Sequence, residues 1–131
     1  MNTCIELHDS QLSEFLRTDR DLTLRFTPVY LHKSAGRPGR DAGTGWVQEA
    51  RLIFSDASST GGPYDWPCDV MDGELVLDAT RYQHLIPVPL EFEGSVELRL
   101  IFGPHHSLVV KAKKVRLELI GQARYAEEFS P

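Results

Sequence analysis

Five histidines, two cysteines and a loop that carries acids beside aromatics are the groups in this chain with chemistry to offer. His8-Asp9-Ser10 sets the three residue types of a hydrolytic triad side by side. A triad is a nucleophile–base–orienter chain assembled across a fold, and three consecutive residues do not reach that geometry. Asp9 and Ser10 are read instead as helix caps, since their side-chain oxygens accept the free N–H groups of a first turn. His105-His106 follows Gly103-Pro104 at an expected hairpin tip. Neighbouring side chains on extended chain point to opposite faces, so the pair does not share a metal without a turn. His8, His32 or His84 would join them only through tertiary contacts. Solvated loop histidines are the favoured reading, and neither metal nor cofactor is expected.

Tyr64, Asp65, Trp66, Asp69 and Asp72 share one stretch of loop-forming sequence. Their spacing lacks the alternate ligands and central Gly of an EF-hand loop. The aromatics either fold down to plug a core edge, the favoured reading, or anchor a partner. Arg37 and Arg40 lie in a Gly/Pro-rich loop without a P-loop signature. Lys111, Lys113, Lys114 and Arg116 form a basic strip near His105 and His106. Such a strip could meet an acidic partner or a phosphate backbone. Lysine-rich strands also blunt exposed sheet edges, and that role is the one expected here. The candidate partner or ligand contacts are therefore Tyr64, Asp65, Trp66, Arg37, Arg40, His105 and His106, with no catalytic residue.

The elements that position these groups read as strands. Val96, Leu98, Leu100 and Phe102 alternate with polar or outward positions, a period of two. Gly103-Pro104 ends that run, and Leu108, Val110 and Ala112 resume it. The phase then slips to Val115, Leu117 and Leu119, which predicts a β-bulge at Lys113–Lys114 within a hairpin spanning 95–121. Leu22–Phe26 and Ala50–Phe54 look like a first copy of the same strand–loop–strand unit. Pro28 predicts an edge or bulged strand. Leu12, Phe15 and Leu16 fall at i, i+3 and i+4 behind the Asp9/Ser10 caps, which predicts one short N-terminal helix. Cys4, Ile5 and Leu7 are expected to pair with a sheet edge. Residues 34–45 and 55–73 are expected as long loops, and 79–90, with Pro87 and Pro89, as an extended edge segment.

Length and composition set the bounds. One domain over residues 1–131 is expected, with 41% hydrophobic and 25% charged residues. The net charge of −5 gives no pull toward nucleic acid. There is no apolar run long enough for a transmembrane helix and no signal-peptide core, so a cytoplasmic protein is expected. Cys4 and Cys68 fit reduced thiols there.

Leu7-His8-Asp9-Ser10 near the start and Gly121…Arg124-Tyr125…Glu127…Phe129 near the end resemble a group of small bacterial β-rich proteins. Most of that group are uncharacterised, and some are thought to be immunity proteins that neutralise a toxin. The resemblance implies a fold and no known catalysis, and it assigns no site. The expectation is an all-β domain, an antiparallel sandwich or partly closed barrel with one short N-terminal helix. Its expected function is non-enzymatic protein interaction, of toxin-immunity type. The alternative is a small ligand-binding protein or enzyme with a pocket between sheets and His84, His105 or His106 as base. A homo-oligomer that hides its strand edges is a third reading.

Overall fold

The computed structural model describes residues 1–62 and 65–130. The chain forms β1 (Asn2–Glu6), β2 (Gln11–Thr18), β3 (Asp21–Ser34), β4 (Gly43–Ser55), β5 (Ser58–Gly61) and β6 (Cys68–Asp69). It continues through β7 (Asp72–Leu77), β8 (Thr80–Gln83), β9 (Leu85–Val88), β10 (Glu91–Gly103) and β11 (His106–Phe129). The main path across the sheet is β6-β2-β3-β4-β11-β10-β7-β8, with β1 between β3 and β9 and β5 laid along β11. This antiparallel sheet curls into a half-barrel, so the partly closed barrel is the form adopted and the sandwich is not.

Alternation dictates the core. Leu22, Leu24 and Phe26 of β3, Leu52 and Phe54 of β4, Leu98 and Leu100 of β10 and Leu108 and Val110 of β11 are fully buried on the inner face. Each such side chain contributes about 1.5–3 kcal/mol relative to exposure. The hairpin of β10 and β11 is present, turning at Pro104-His105 between Gly103 and His106. The phase slip at Lys113–Lys114 is also present, but the extra residue lies on β10. Glu93 opposes Lys114 and Val96 opposes Ala112, so Gly94 and Ser95 face Lys113 alone.

Several expectations are corrected. Among the described residues there is no helix, and Leu12, Phe15 and Leu16 lie on a strand. Leu12 pairs with Phe26 and Glu14 with Arg25, which leaves Ser13 as an extra residue. That bulge turns both Leu12 and Phe15 toward the core, so a spacing of three arises in a strand. Ser10 caps no helix. Its Oγ donates to the Glu6 carbonyl at 2.6 Å and accepts the Tyr30 N–H at 3.1 Å, which clamps the β1–β2 turn to β3.

The lysine strip does not guard an edge, because β11 pairs with β10 on one side and with β4 and β5 on the other over that span. Lys111 lies 3.7 Å from Glu97 and Lys114 3.9 Å from Glu91, acids on the neighbouring strand. The two look-alike units do not repeat as pairs. Leu22–Phe26 pairs with Ala50–Phe54, but Val96–Leu100 pairs with Leu108–Ala112, and Val115–Leu119 lies against Ala50–Phe54. Pro28 marks a bulge on β3, which is an interior strand. β1 pairs with β3 on one side and with β9 on the other, and β9 pairs with β1. The segment 55–73 is not one loop, since it contains β5 and β6.

Candidate functional site

The sheet's outer face carries a groove over β2, β3 and β4. Arg25, on β3, is flanked by two carboxylates. Its Nη1 donates to Glu14 Oε1 at 3.3 Å and its Nη2 to Glu49 Oε1 at 2.6 Å. Glu14 is the cross-strand neighbour of Arg25, so the sheet register makes this contact. The Glu49 hydrogen bond, with its charge, raises the Arg25 guanidinium above its ordinary value. Ser13 and Thr27 join hydroxyls at 2.9 Å beside them. Trp66 and Pro67 lie across this cluster and complete a cleft of about 420 Å³. Trp66 is 43% exposed, so it does not plug the core. Val70, buried to 2%, and Cys68 do that instead. Tyr64 lies outside the described residues.

The groove continues. Thr27 and Glu49 also line a second depression with Pro28, Gln48, Ile120 and Arg124. The extra residue on β3 falls opposite Glu49, and those on β11 fall opposite the adjacent Gln48, whose Nε2 donates to the Gly121 carbonyl at 2.8 Å. Bulges bend a sheet locally, which accounts for the hollow at this point.

The other predicted contacts lie elsewhere. Arg37 is paired with Asp41, whose carboxylate accepts the Arg37 N–H at 2.7 Å and is held below its ordinary value by that bond. Arg40 is exposed in the same β3–β4 loop. This loop packs near β9, where a Cβ on Gly39 would meet Leu85. His105 and His106 are exposed at the β10–β11 turn. Asp65, Asp69 and Asp72 do not converge: Asp69 accepts from Gln11 at 3.1 Å, and Asp72 faces His84.

That last pair forms a second candidate. His84 Nδ1 lies 2.8 Å from Asp72 Oδ1, in a cleft of about 360 Å³ lined also by Glu74, Gln83 and Arg99. The cleft is at the seam of β7, β8 and β10, not between two sheets. His84 has a left-handed backbone, φ 67°, which is strained for a residue with a Cβ. Its N–H donates to the Gly73 carbonyl at 3.1 Å and its carbonyl accepts the Leu7 N–H at 2.8 Å, so this residue stitches β7 to the end of β1. A Cβ on Gly73 would lie 2.7 Å from Leu7 Cδ1, so a larger residue there would have to displace the buried Leu7 side chain.

Both thiols are free. Burial pushes the Cys4 thiol up to about 11, with the Glu6 charge adding to it. Cys68 is raised by burial and then by Asp69 and Asp65. Neither is an activated nucleophile. No helix of the described residues is long and apolar enough to cross a membrane. No family model, no curated protein and no solved structure matches this chain.

Proposed function

We propose that this chain is a non-enzymatic protein-binding domain, of the toxin-immunity kind in a bacterial cytoplasm, and that the Trp66 groove is its contact surface. The observation that carries the reading is the outward placement of Trp66 over Arg25, Glu14 and Glu49. An exposed indole on a shallow groove is the kind of side chain that anchors interfaces. Asp65 beside it and Glu14 and Glu49 below outnumber Arg25, so the groove favours a basic partner, with a lysine or arginine stacked on the indole. The net charge of −5 favours the same sign of partner. Two free thiols fit a reducing compartment. The test is NMR titration with a lysine–alanine repeat peptide and a glutamate–alanine repeat peptide. The basic peptide is expected to shift 11–14, 25–27, 48–49 and 66–67, and Trp66→Ala is expected to abolish those shifts. Equal response to both peptides, or shifts confined to other surfaces, would overturn the reading.

A second reading is favoured by the 2.8 Å contact between His84 and Asp72. It makes the β7–β8–β10 cleft a small-ligand site, with His84 as base and Arg99 beside it to hold an anion. Ligand-observed NMR with small carboxylic acids checks it. Binding that His84→Ala and Arg99→Ala both remove supports it, and the absence of such binding ends it.

A further inference from the structure

The β1–β2 turn gathers a different set of groups. Glu6 ends β1, and His8 and Asp9 follow in the turn, with Asp9 left-handed at φ 70°. One ligand atom from each of Glu6, His8 and Asp9 lies within 4.8 Å of the others. His8 Nδ1 and Asp9 Oδ1 are already 3.5 Å apart. Two ligands on one zinc ion, each about 2.0–2.2 Å from it, stand about 3–3.5 Å apart. The turn is held from beneath, because Ser10 Oγ donates to the Glu6 carbonyl and takes the Tyr30 N–H.

A separate observation points into this cluster. The His32 side chain is 9% exposed, and neither of its ring nitrogens makes a hydrogen bond. Its Nε2 stands 3.4 Å from Glu6 Oε2. Buried imidazoles are normally satisfied, so an orphaned ring aimed at a carboxylate calls for an explanation. Among the described residues, no lysine or arginine pairs with Glu6 or Asp9, whose ion-pair partners are His32 and His8.

The geometry points to a divalent transition-metal site at this turn, with Glu6, His8 and Asp9 as ligands and His32 as the positioning residue behind Glu6. One imidazole and two carboxylates suit zinc or its first-row neighbours. A modest closure of the Glu6 side chain brings one oxygen to the ion and presents the other to His32 Nε2–H. That arrangement orients the ligand from behind, as outer partners of metal-bound carboxylates do. Three protein ligands leave a fourth position open to water or to a donor from elsewhere.

The test is Zn²⁺ titrated into the full chain, followed by calorimetry and by NMR of the histidine rings, with Mg²⁺ run in parallel. The expected result is one Zn²⁺ per chain, perturbation of the His8 and His32 rings, and no response to Mg²⁺. His8→Ala and Asp9→Asn are each expected to weaken binding about ten-fold or more. His84→Ala, His105→Ala and Cys68→Ser are expected to leave it unchanged. His32→Gln, which keeps an N–H donor, is expected to retain affinity, while His32→Phe is expected to lose about ten-fold. Thermal melting of the metal-free variants confirms that both fold. Absence of Zn²⁺ binding, binding that survives His8→Ala and Asp9→Asn, loss only with Cys68→Ser or His105→Ala, or equal binding of Mg²⁺ would each overturn the proposal. Equal affinity of His32→Gln and His32→Phe would remove His32 from the site.

Discussion

Two histidine–carboxylate pairs flank Leu7, and they differ in what surrounds them. His84 and Asp72 approach to 2.8 Å, and both side chains are about half exposed. His32 and Glu6 stand 3.4 Å apart, with the His32 ring packed against Tyr30 and Phe129 and away from water. Distance alone ranks the first pair higher. Solvent reverses the ranking, because an exposed ion pair contributes only about 0–1 kcal/mol after screening. A buried polar atom left unpaired costs about 1–3 kcal/mol. The exposed pair is satisfied and energetically quiet. The buried pair holds unmet bonding capacity, and its surroundings carry the structural burden.

The largest expected effect is on the buried side. Ser10→Ala removes a buried hydroxyl that serves both the Glu6 carbonyl and the Tyr30 N–H. It should cost about 1–3 kcal/mol in urea unfolding. A loss below about 0.5 kcal/mol would mean that the turn over His32 does not depend on this clamp.

Tyr30→Phe should cost about 1 kcal/mol. The Tyr30 hydroxyl donates to Glu127 Oε1 at 2.6 Å and ties the end of β11 to β3. Amide exchange in 124–129 should quicken while 96–102 is unaffected. Uniform change along the chain would contradict that local role.

A pH series separates the two regions next. Cys4 lies opposite His32 in the β1–β3 ladder, with Glu6 nearby. Its folded pKa, about 11, exceeds the ordinary thiol value of 9.0. The folded state therefore holds this proton more tightly. The resulting stability is full below pH 9 and is lost as pH rises through about 11. Tyr30, raised by burial and then by its bond to Glu127, loses its share in the same direction at higher pH. Cys4→Ala should flatten the curve of stability between pH 9 and 11. An unchanged slope there would show that Cys4 is not the titrating group.

The smallest effects give the sharpest contrast between the two pairs. His32→Phe should stabilise the metal-free protein by up to about 1 kcal/mol, since an apolar ring replaces an unsatisfied one. His84→Ala should change stability by less than about 0.5 kcal/mol, because His84 links β1 to β7 through its backbone. A large loss from His84→Ala, with none gained from His32→Phe, would invert the comparison.

Strand rhythm was legible because the pleat sends alternate side chains to opposite faces wherever the partner lies. The hairpin of β10 and β11 and the slip at Lys113 were read from that rhythm. The expected N-terminal helix is a strand for a local reason: a bulge at Ser13 produces the spacing of three that a helix also shows. The lysine strip reads as an edge guard in sequence because strand order, which places β11 between β10 on one side and β4 and β5 on the other, is not a local property. The core plug expected of Trp66 fails, as the side chain is 43% exposed; its direction is not readable in sequence, since a loop residue has no periodicity to fix its face.

Sequence by itself determined that this chain makes antiparallel sheet with an aliphatic face on β3, β4, β10 and β11, while the choice of a curled half-barrel over a sandwich came from the tertiary structure. Tertiary structure alone decided which polar groups meet: Glu6 with His32, Asp72 with His84, Arg25 with Glu49. The reason is range. Alternation is a property of two adjacent residues, whereas these contacts depend on strand register and on the curl that brings distant strands together.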